Sequence, residues 1–349
     1  MGLMSTMNNY SSFLYCDSED FKSPIYTACY IVTFIIGFTS NMVALYVFLC
    51  LLPRKVPSCI FMTNLAISDL LFTLTLPLRI HYYHRKKGWI FGDPMCGITI
   101  YAFYVNMYTS ILFLTAVSIA RYVAVVHPMH IRRIFNCRRC VIISLAIWIL
   151  VSLLTSPFLV ARSYHVNGTI KCFEPQNSTS LGRVLIMNYS GLVLGFLLPF
   201  LAITVCYIRI IYKLRGVTEE LGGSGPRRGR SVALVSVVLT VFLFCFFPYH
   251  VVRTVHLHFA SSYQNGCAET TLLQKIVVLS LCMAASNSCF NPLLYYFAGN
   301  TFRRTLKKSF RNSSNVSFKK SVQQTMLEPP PNDENSLFAC DDKTAAGQK

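Results

Sequence analysis

Seven long apolar runs alternate with short polar segments along the chain. They cover about residues 25–52, 58–83, 96–126, 139–160, 187–212, 231–258 and 271–298. Each reaches the ~20 residues that a helix needs to cross a bilayer. The third run is the most informative. Cys96 and Arg121 stand 25 positions apart, roughly 37 Å along a continuous helix. That exceeds the ~30 Å thickness of the hydrocarbon layer, so the two residues belong on opposite sides of a membrane. Between them Tyr101, Tyr104 and Tyr108 recur at i, i+3, i+7 on one face, and Asn106 and Ser110 at i, i+4 on another. Two polar stripes suit a helix surrounded by other helices rather than by lipid. The pattern predicts an all-α membrane protein, a seven-transmembrane helix bundle.

Composition agrees: of 349 residues, 53% are hydrophobic and 13% charged. The short segments that carry Arg54, Lys55, Arg132, Arg133, Arg138, Arg139, Arg209, Lys213, Arg215, Arg227, Arg228 and Arg230 fall on one side, with Arg303, Arg304, Lys307, Lys308 and Arg311 after the last run. By the positive-inside rule that side is cytosolic and the N-terminus is extracellular. The formal charge of +18 is largely this bias, so nucleic acid is not an expected partner. Residues 1–24 lack an apolar core, and no signal peptide is expected. Asn9, Asn167 and Asn177 are sequon asparagines on the outer side; those at Asn188, Asn312 and Asn315 fall in a span or inside and are expected to stay unused. Cys16, Cys96, Cys172 and Cys267 lie in the compartment that permits disulfides, and sequence alone leaves three pairings open.

Four segments follow from this reading. Residues 1–24 form an extracellular tail and 25–300 the seven-helix domain. Residues 301–311 form a short amphipathic eighth helix on the inner leaflet, with Phe302, Leu306 and Phe310 at i, i+4, i+8 among basic residues. Residues 312–349 form a disordered cytoplasmic tail. The inner stretch LGGSGPRRGR (221–230) breaks helix five from helix six.

Charges inside spans are costly and functional by default. Asp69 lies near the middle of the second span, with Arg79 ten residues on, roughly 15 Å nearer the outside. Arg253 stands on the outer half of the sixth span and Lys275 opens the seventh. With Tyr30, Tyr104, Tyr108 and Tyr249 facing inward, these cations suit an anion with a long apolar body. Arginine binds carboxylate bidentately, and tyrosine adds apolar area with a hydroxyl. That chemistry leaves a lipid mediator and a nucleotide both open. Asp69, Asn106, Ser110, Asn287 and Asn291 offer a carboxylate and neutral oxygens at mid-membrane, a set that suits Na⁺ or a closed polar network. Pro248 is expected to kink the sixth span. The histidines His256 and His258 suit a membrane boundary better than a metal. GxSxG, HExxH, P-loop and paired catalytic carboxylates are all absent, so the chain does not read as an enzyme. A transporter or channel is the rival class, and seven unrepeated spans argue against it.

The chain resembles the rhodopsin-like family of G-protein-coupled receptors over about residues 25–311. The residues that carry the resemblance are Asn41, Leu65-Ala66 with Asp69, Cys96, Arg121-Tyr122, Trp148, Pro199 with Tyr207, Phe246-x-Pro248, and Asn291-Pro292 with Tyr295. Within the nucleotide- and lipid-receptor branch, TLPLR (75–79), YAFYVNMY (101–108), KCFEP (171–175), PYHVVRTVHLHF (248–259) and FNPLLYYFAG (290–299) resemble the cysteinyl leukotriene receptors. The resemblance implies a multi-pass plasma-membrane receptor for an anionic lipid, a cysteinyl leukotriene, with a nucleotide as the alternative ligand. It also implies signalling through a Gq-type heterotrimeric G protein to phosphoinositide and calcium, with arrestin and receptor kinases at the tail. It implies a Cys96–Cys172 bridge, leaving Cys16–Cys267. It implies a Na⁺ ion at Asp69 and a switch involving Arg121, Tyr207, Phe246, Pro248 and Tyr295, with Ile111, Pro199 and Phe242 as packing pivot. A retinal photoreceptor needs a lysine where Ala285 stands. Two departures matter. Ala120 replaces the acid that commonly precedes the arginine, and Phe246 stands where many members have Trp. An acid at the inner end of the sixth helix is also replaced, by Arg228.

Overall fold

A computed structural model describes residues 19–51, 57–85, 88–160, 163–166, 169–173, 178–221, 226–262 and 267–298. Among these, seven helices are long and apolar enough to cross a membrane: α1 (Asp20–Leu51), α2 (Cys59–Arg85), α3 (Gly92–Val126), α4 (Cys137–Val160), α5 (Val184–Leu214), α6 (Ser236–Phe259) and α7 (Leu272–Tyr296). All seven coincide with the predicted runs. The first helical stretch starts at Glu19, ahead of the predicted residue 25. The exposed Asp20 complements the positive end of the helix dipole there.

α3 is the axis of the bundle and packs against α2, α4, α5, α6 and α7. Of its two polar stripes, Asn106 and Ser110 are buried and Tyr101, Tyr104 and Tyr108 half-buried. α4 is peripheral: Ile142, Leu145, Ile149 and Leu153 form an exposed apolar stripe, which in hydrocarbon is the favourable arrangement. Asn136 caps α4, its side chain accepting from the Arg139 N–H at 2.8 Å.

Prolines mark where the helices depart from regularity. Before Pro77, Thr75 N–H turns back to the Phe72 carbonyl at 2.9 Å, and a turn at residues 74–75 interrupts the regular helix of α2. At Pro157, α4 tightens into a 3₁₀ turn, Ser156–Val160. Ahead of Pro248 the helix widens into a π turn, Phe242–Phe246, because proline offers no N–H to the preceding turn. A kink is expected at Pro248 in α6; what the structure shows there is this widened turn. A second wide turn, Gly191–Leu197, lies in α5.

One end of the bundle carries a two-stranded antiparallel hairpin, β1 (Tyr164–Val166) and β2 (Thr169–Lys171), in which His165 pairs with Ile170. The hairpin leads directly into Cys172, which is bonded to Cys96 near the start of α3, Cα to Cα 5.9 Å. Trp89 N–H donates to the Ile170 carbonyl at 2.7 Å. Gly88 makes that approach possible, since its φ is +88° and a Cβ there would stand 2.8 Å from the same carbonyl.

Candidate functional site

Two cavities open at the bridged end of the bundle, and they share Tyr104 and Arg253. The first, ≈ 160 Å³, lies between α1, α2, α3, α6 and α7 and is lined by Lys22, Tyr30, Arg79, Phe103, Phe173 and His256 among others. The second, ≈ 340 Å³, lies between α3, α4, α5 and α6 and is lined by Tyr108, Leu112, Leu150, Leu154, Leu194 and Tyr249 among others. One is cationic and aromatic; the other is mainly apolar, with Arg253, Asn188 and tyrosines in its lining. Leu150, Leu154 and Leu194 also belong to the exposed, membrane-facing surface.

Arg79 is 6% exposed. Its Nη2 donates to the Thr99 carbonyl at 2.7 Å, and its Nε has no hydrogen-bond partner. The guanidinium carbon lies 4.6 Å from the Phe173 ring centre, 5.5 Å from Phe103 and 5.8 Å from Tyr30. Such aromatic faces attract a cation but do not consume its in-plane donors. Tyr30 is buried and stacks on Tyr26 at 5.4 Å.

Between the cavities stands Tyr104. Its ring stacks on Phe158 at 3.9 Å with 9° between planes, and its hydroxyl accepts from Tyr249 at 3.3 Å. The 3₁₀ turn at Pro157 is what brings Phe158 there. Tyr108 projects into the second cavity against α5, where Gly191 and Gly195 leave it room. A Cβ on Gly195 would lie 2.5 Å from the Tyr108 ring. Asn188 lines the same cavity, and its amide nitrogen donates to Thr254 at 2.9 Å. The atom a glycan would occupy is thus engaged inside the bundle. Lys275 sits over the Phe21 ring at 5.3 Å and is not brought into either cavity. Lys22 and His256 line the first cavity. Phe173, Phe158 and Lys22 are not legible as site residues in the sequence: loop and helix-end residues carry no periodic signal that says where they point. His256 does share a helical face with Tyr249 and Arg253, at i+7 and i+3, but reads there as a boundary histidine.

A second polar centre lies deeper. Asp69 is fully buried and accepts from Asn106 at 2.8 Å, Asn291 at 2.8 Å and Ser288 at 2.9 Å. Asn287 joins the network, its amide 3.3 Å from Asn106 Oδ1. Four of the five predicted members are therefore connected, and Ser288 is an addition. The fifth, Ser110, is buried with its hydroxyl unpartnered, as is Asn291 Oδ1.

Toward the opposite end, Phe246 is buried in the wide turn and meets Phe242 edge-on at 5.7 Å. Pro248 and Tyr207 are half-buried. Ile111, Pro199 and Phe242 are buried. The Tyr295 hydroxyl donates to Asn41 on α1 at 3.3 Å. Ala120 is buried and Arg121 is half-buried beside it. Asn9, Asn167, Asn177, Cys16, the side chain of Cys267 and residues 301–349 lie outside the described residues.

Comparison with known proteins agrees with this arrangement. Residues 40–295 match the 7 transmembrane receptor (rhodopsin family). The chain is 42% identical over 298 residues to cysteinyl leukotriene receptor 1 of Mus musculus, covering 85% of this chain and 84% of that one. It is 42% identical over 309 residues to cysteinyl leukotriene receptor 2 of Sus scrofa, covering 88% of each. A purinoceptor of Gallus gallus is 37% identical over 289 residues, 82% of this chain and 79% of that receptor. With seven spanning helices, the α2–α3–α7 polar network and the Cys96–Cys172 bridge in place, the chain belongs to the rhodopsin family of seven-transmembrane receptors.

Proposed function

We propose that this protein is a plasma-membrane receptor for cysteinyl leukotrienes, with its N-terminus outside and a Gq-type G protein, arrestin and receptor kinases as cytosolic partners. The observation that carries the ligand class is the pair of cavities that share Tyr104 and Arg253. A carboxylate head suits the cavity that holds Arg79 and Arg253, and a polyene tail suits the one lined by Leu112, Leu150, Leu154 and Leu194. The exposed leucines of that second cavity face the bilayer, from which a lipid can enter. A nucleotide satisfies the cationic cavity, and the purinoceptor relative favours that second reading. It leaves the larger apolar cavity without an occupant, however. The two leukotriene-receptor relatives carry different subtype names at equal identity, so similarity favours neither subtype.

The same proposal includes a Na⁺ ion at Asp69. Na⁺ is a hard cation that takes oxygen ligands. Ser110 Oγ and Asn291 Oδ1 are buried oxygens without a partner beside the network of Asp69, which fits such an ion. Asp69, Ser110 and Asn291 would hold it, with Asn106 and Asn287 orienting them.

Calcium mobilisation in transfected cells tests the proposal. Cysteinyl leukotrienes are expected to evoke a response that nucleotides do not. A response to nucleotides alone would replace the lipid reading with the second one. An ion flux independent of G protein would return the chain to the transporter class.

A further inference from the structure

Phe173 follows Cys172 directly, and its backbone lies in the left-handed region, φ 80°. No other non-glycine among the described residues does so. A bulky residue holds that conformation only where its surroundings impose it. Here they do. The Cys96–Cys172 bridge anchors the chain one residue earlier. The ring packs among Tyr82 at 5.4 Å, Trp89 at 5.5 Å and Tyr83 at 6.2 Å. Trp89 and both cysteines are themselves buried in one apolar cluster. Held this way, Phe173 is the aromatic face nearest the Arg79 guanidinium, at 4.6 Å.

Arginine recognises a carboxylate through a planar fork, so the plane must be presented correctly. The Nη2 hydrogen bond to the Thr99 carbonyl fixes one corner of the guanidinium but not the tilt of its plane. A ring against its face removes that freedom. We infer that Phe173 is a positioning residue for the anion site: the bridged loop sets its ring on Arg79 and so holds the fork toward a ligand carboxylate. This rests on the reading of Arg79 as a carboxylate-binding group. It makes the disulfide part of recognition as well as of folding, because the bridge keeps Phe173 in its unfavourable backbone conformation.

The test is equilibrium binding of a tritiated cysteinyl leukotriene and of its carboxylate methyl ester, on membranes carrying the full-length receptor at matched surface density. Phe173→Ala is expected to weaken the free acid about tenfold, the effect of losing a desolvated cation–π contact. The ester is expected to stay within about twofold. Phe173→Tyr, which keeps an aromatic face, is expected to restore most of the affinity. In an Arg79→Met background, Phe173→Ala is expected to add nothing. If Phe173→Ala fails to reach the surface, Phe173→Leu fills the space without a π face and is expected to show the same acid-selective loss. Equal losses for acid and ester, or additive losses in the double variant, would overturn the inference while leaving Arg79 in its role. Unchanged binding in Arg79→Met would overturn the reading of Arg79 and this inference with it.

Discussion

Asp69 and Arg79 stand ten residues apart on the same helix, both buried, and they are equipped in opposite ways. The Asp69 carboxylate accepts three hydrogen bonds, from Asn106, Asn291 and Ser288, at 2.8–2.9 Å. Arg79 donates to the Thr99 carbonyl, leaves Nε unpartnered, and is otherwise faced by rings. A buried charge supplied with partners from α3 and α7 ties the bundle together. A buried charge with a donor to spare, beside a cavity, costs stability that an anion bound there would return. The two residues look alike in the sequence, each a charge in an apolar run; the difference lies in which helices face them.

Removing each charge is the sharpest way to break this comparison. Asp69→Ala strands the three donors, each at about 1–3 kcal/mol. It is expected to lower the melting temperature of the purified receptor by roughly 5 °C or more. Arg79→Met is expected to leave the ligand-free melting temperature unchanged or raised, because apolar replacements of buried charges are commonly neutral or stabilising. Equal destabilisation by the two variants would make Arg79 a structural residue.

Packing around Tyr108 gives the next effect. A Cβ at Gly195 would lie 2.5 and 2.6 Å from two Tyr108 ring atoms. Gly195→Ala therefore pushes the ring into the apolar cavity, and overpacking of this kind costs ~1–3 kcal/mol. Agonist potency is expected to fall about tenfold, and Tyr108→Ala in the same chain is expected to restore thermal stability. A Gly195→Ala receptor with normal potency and stability would contradict the close approach.

At the opposite end, Ala120 offers Arg121 no charge. Ala120→Asp would supply a partner worth ~1–3 kcal/mol in a partly buried place. Lower basal and agonist-driven inositol phosphate accumulation at matched expression is the expected outcome, since Arg121 must leave that partner to meet a G protein. Unchanged or raised basal signalling would mean that Arg121 is already restrained by other groups. The smallest effect concerns sodium. An ion favouring one state shifts the equilibrium by its differential affinity alone. Agonist affinity is expected to be a few-fold lower in NaCl than in a large organic-cation salt of equal ionic strength, and Asp69→Asn is expected to abolish the difference. Equal affinities in the two salts would reject the ion.

Helical periodicity and length carry the seven spans, because a membrane demands ~20 apolar residues in every spanning helix. Spacing also places Asn106 with Ser110 and Asn287 with Asn291 on shared faces, and the structure joins Asn106, Asn287 and Asn291 with Asp69 in one network. What spacing does not carry is the content of the facing surface. Ser288 gives no such signal beside Asn287, because adjacent residues on a helix point about 100° apart. Lys275 reads as a ligand cation from spacing alone; in the structure it lies over Phe21, while Lys22, near the start of α1, lines the cavity. Phe173 stands within the KCFEP stretch, but its role depends on a disulfide and a backbone angle that no local pattern states.

In the proposed function, Arg79 and Arg253 together hold the anionic head of the ligand. Equilibrium binding of a cysteinyl leukotriene to wild type, Arg79→Met and Arg253→Ala at matched surface density tests this most directly. Losing one partner of a desolvated charge pair costs ~2–5 kcal/mol, so each variant is expected to bind at least about tenfold more weakly. Affinities within about twofold of wild type in both variants would contradict the account.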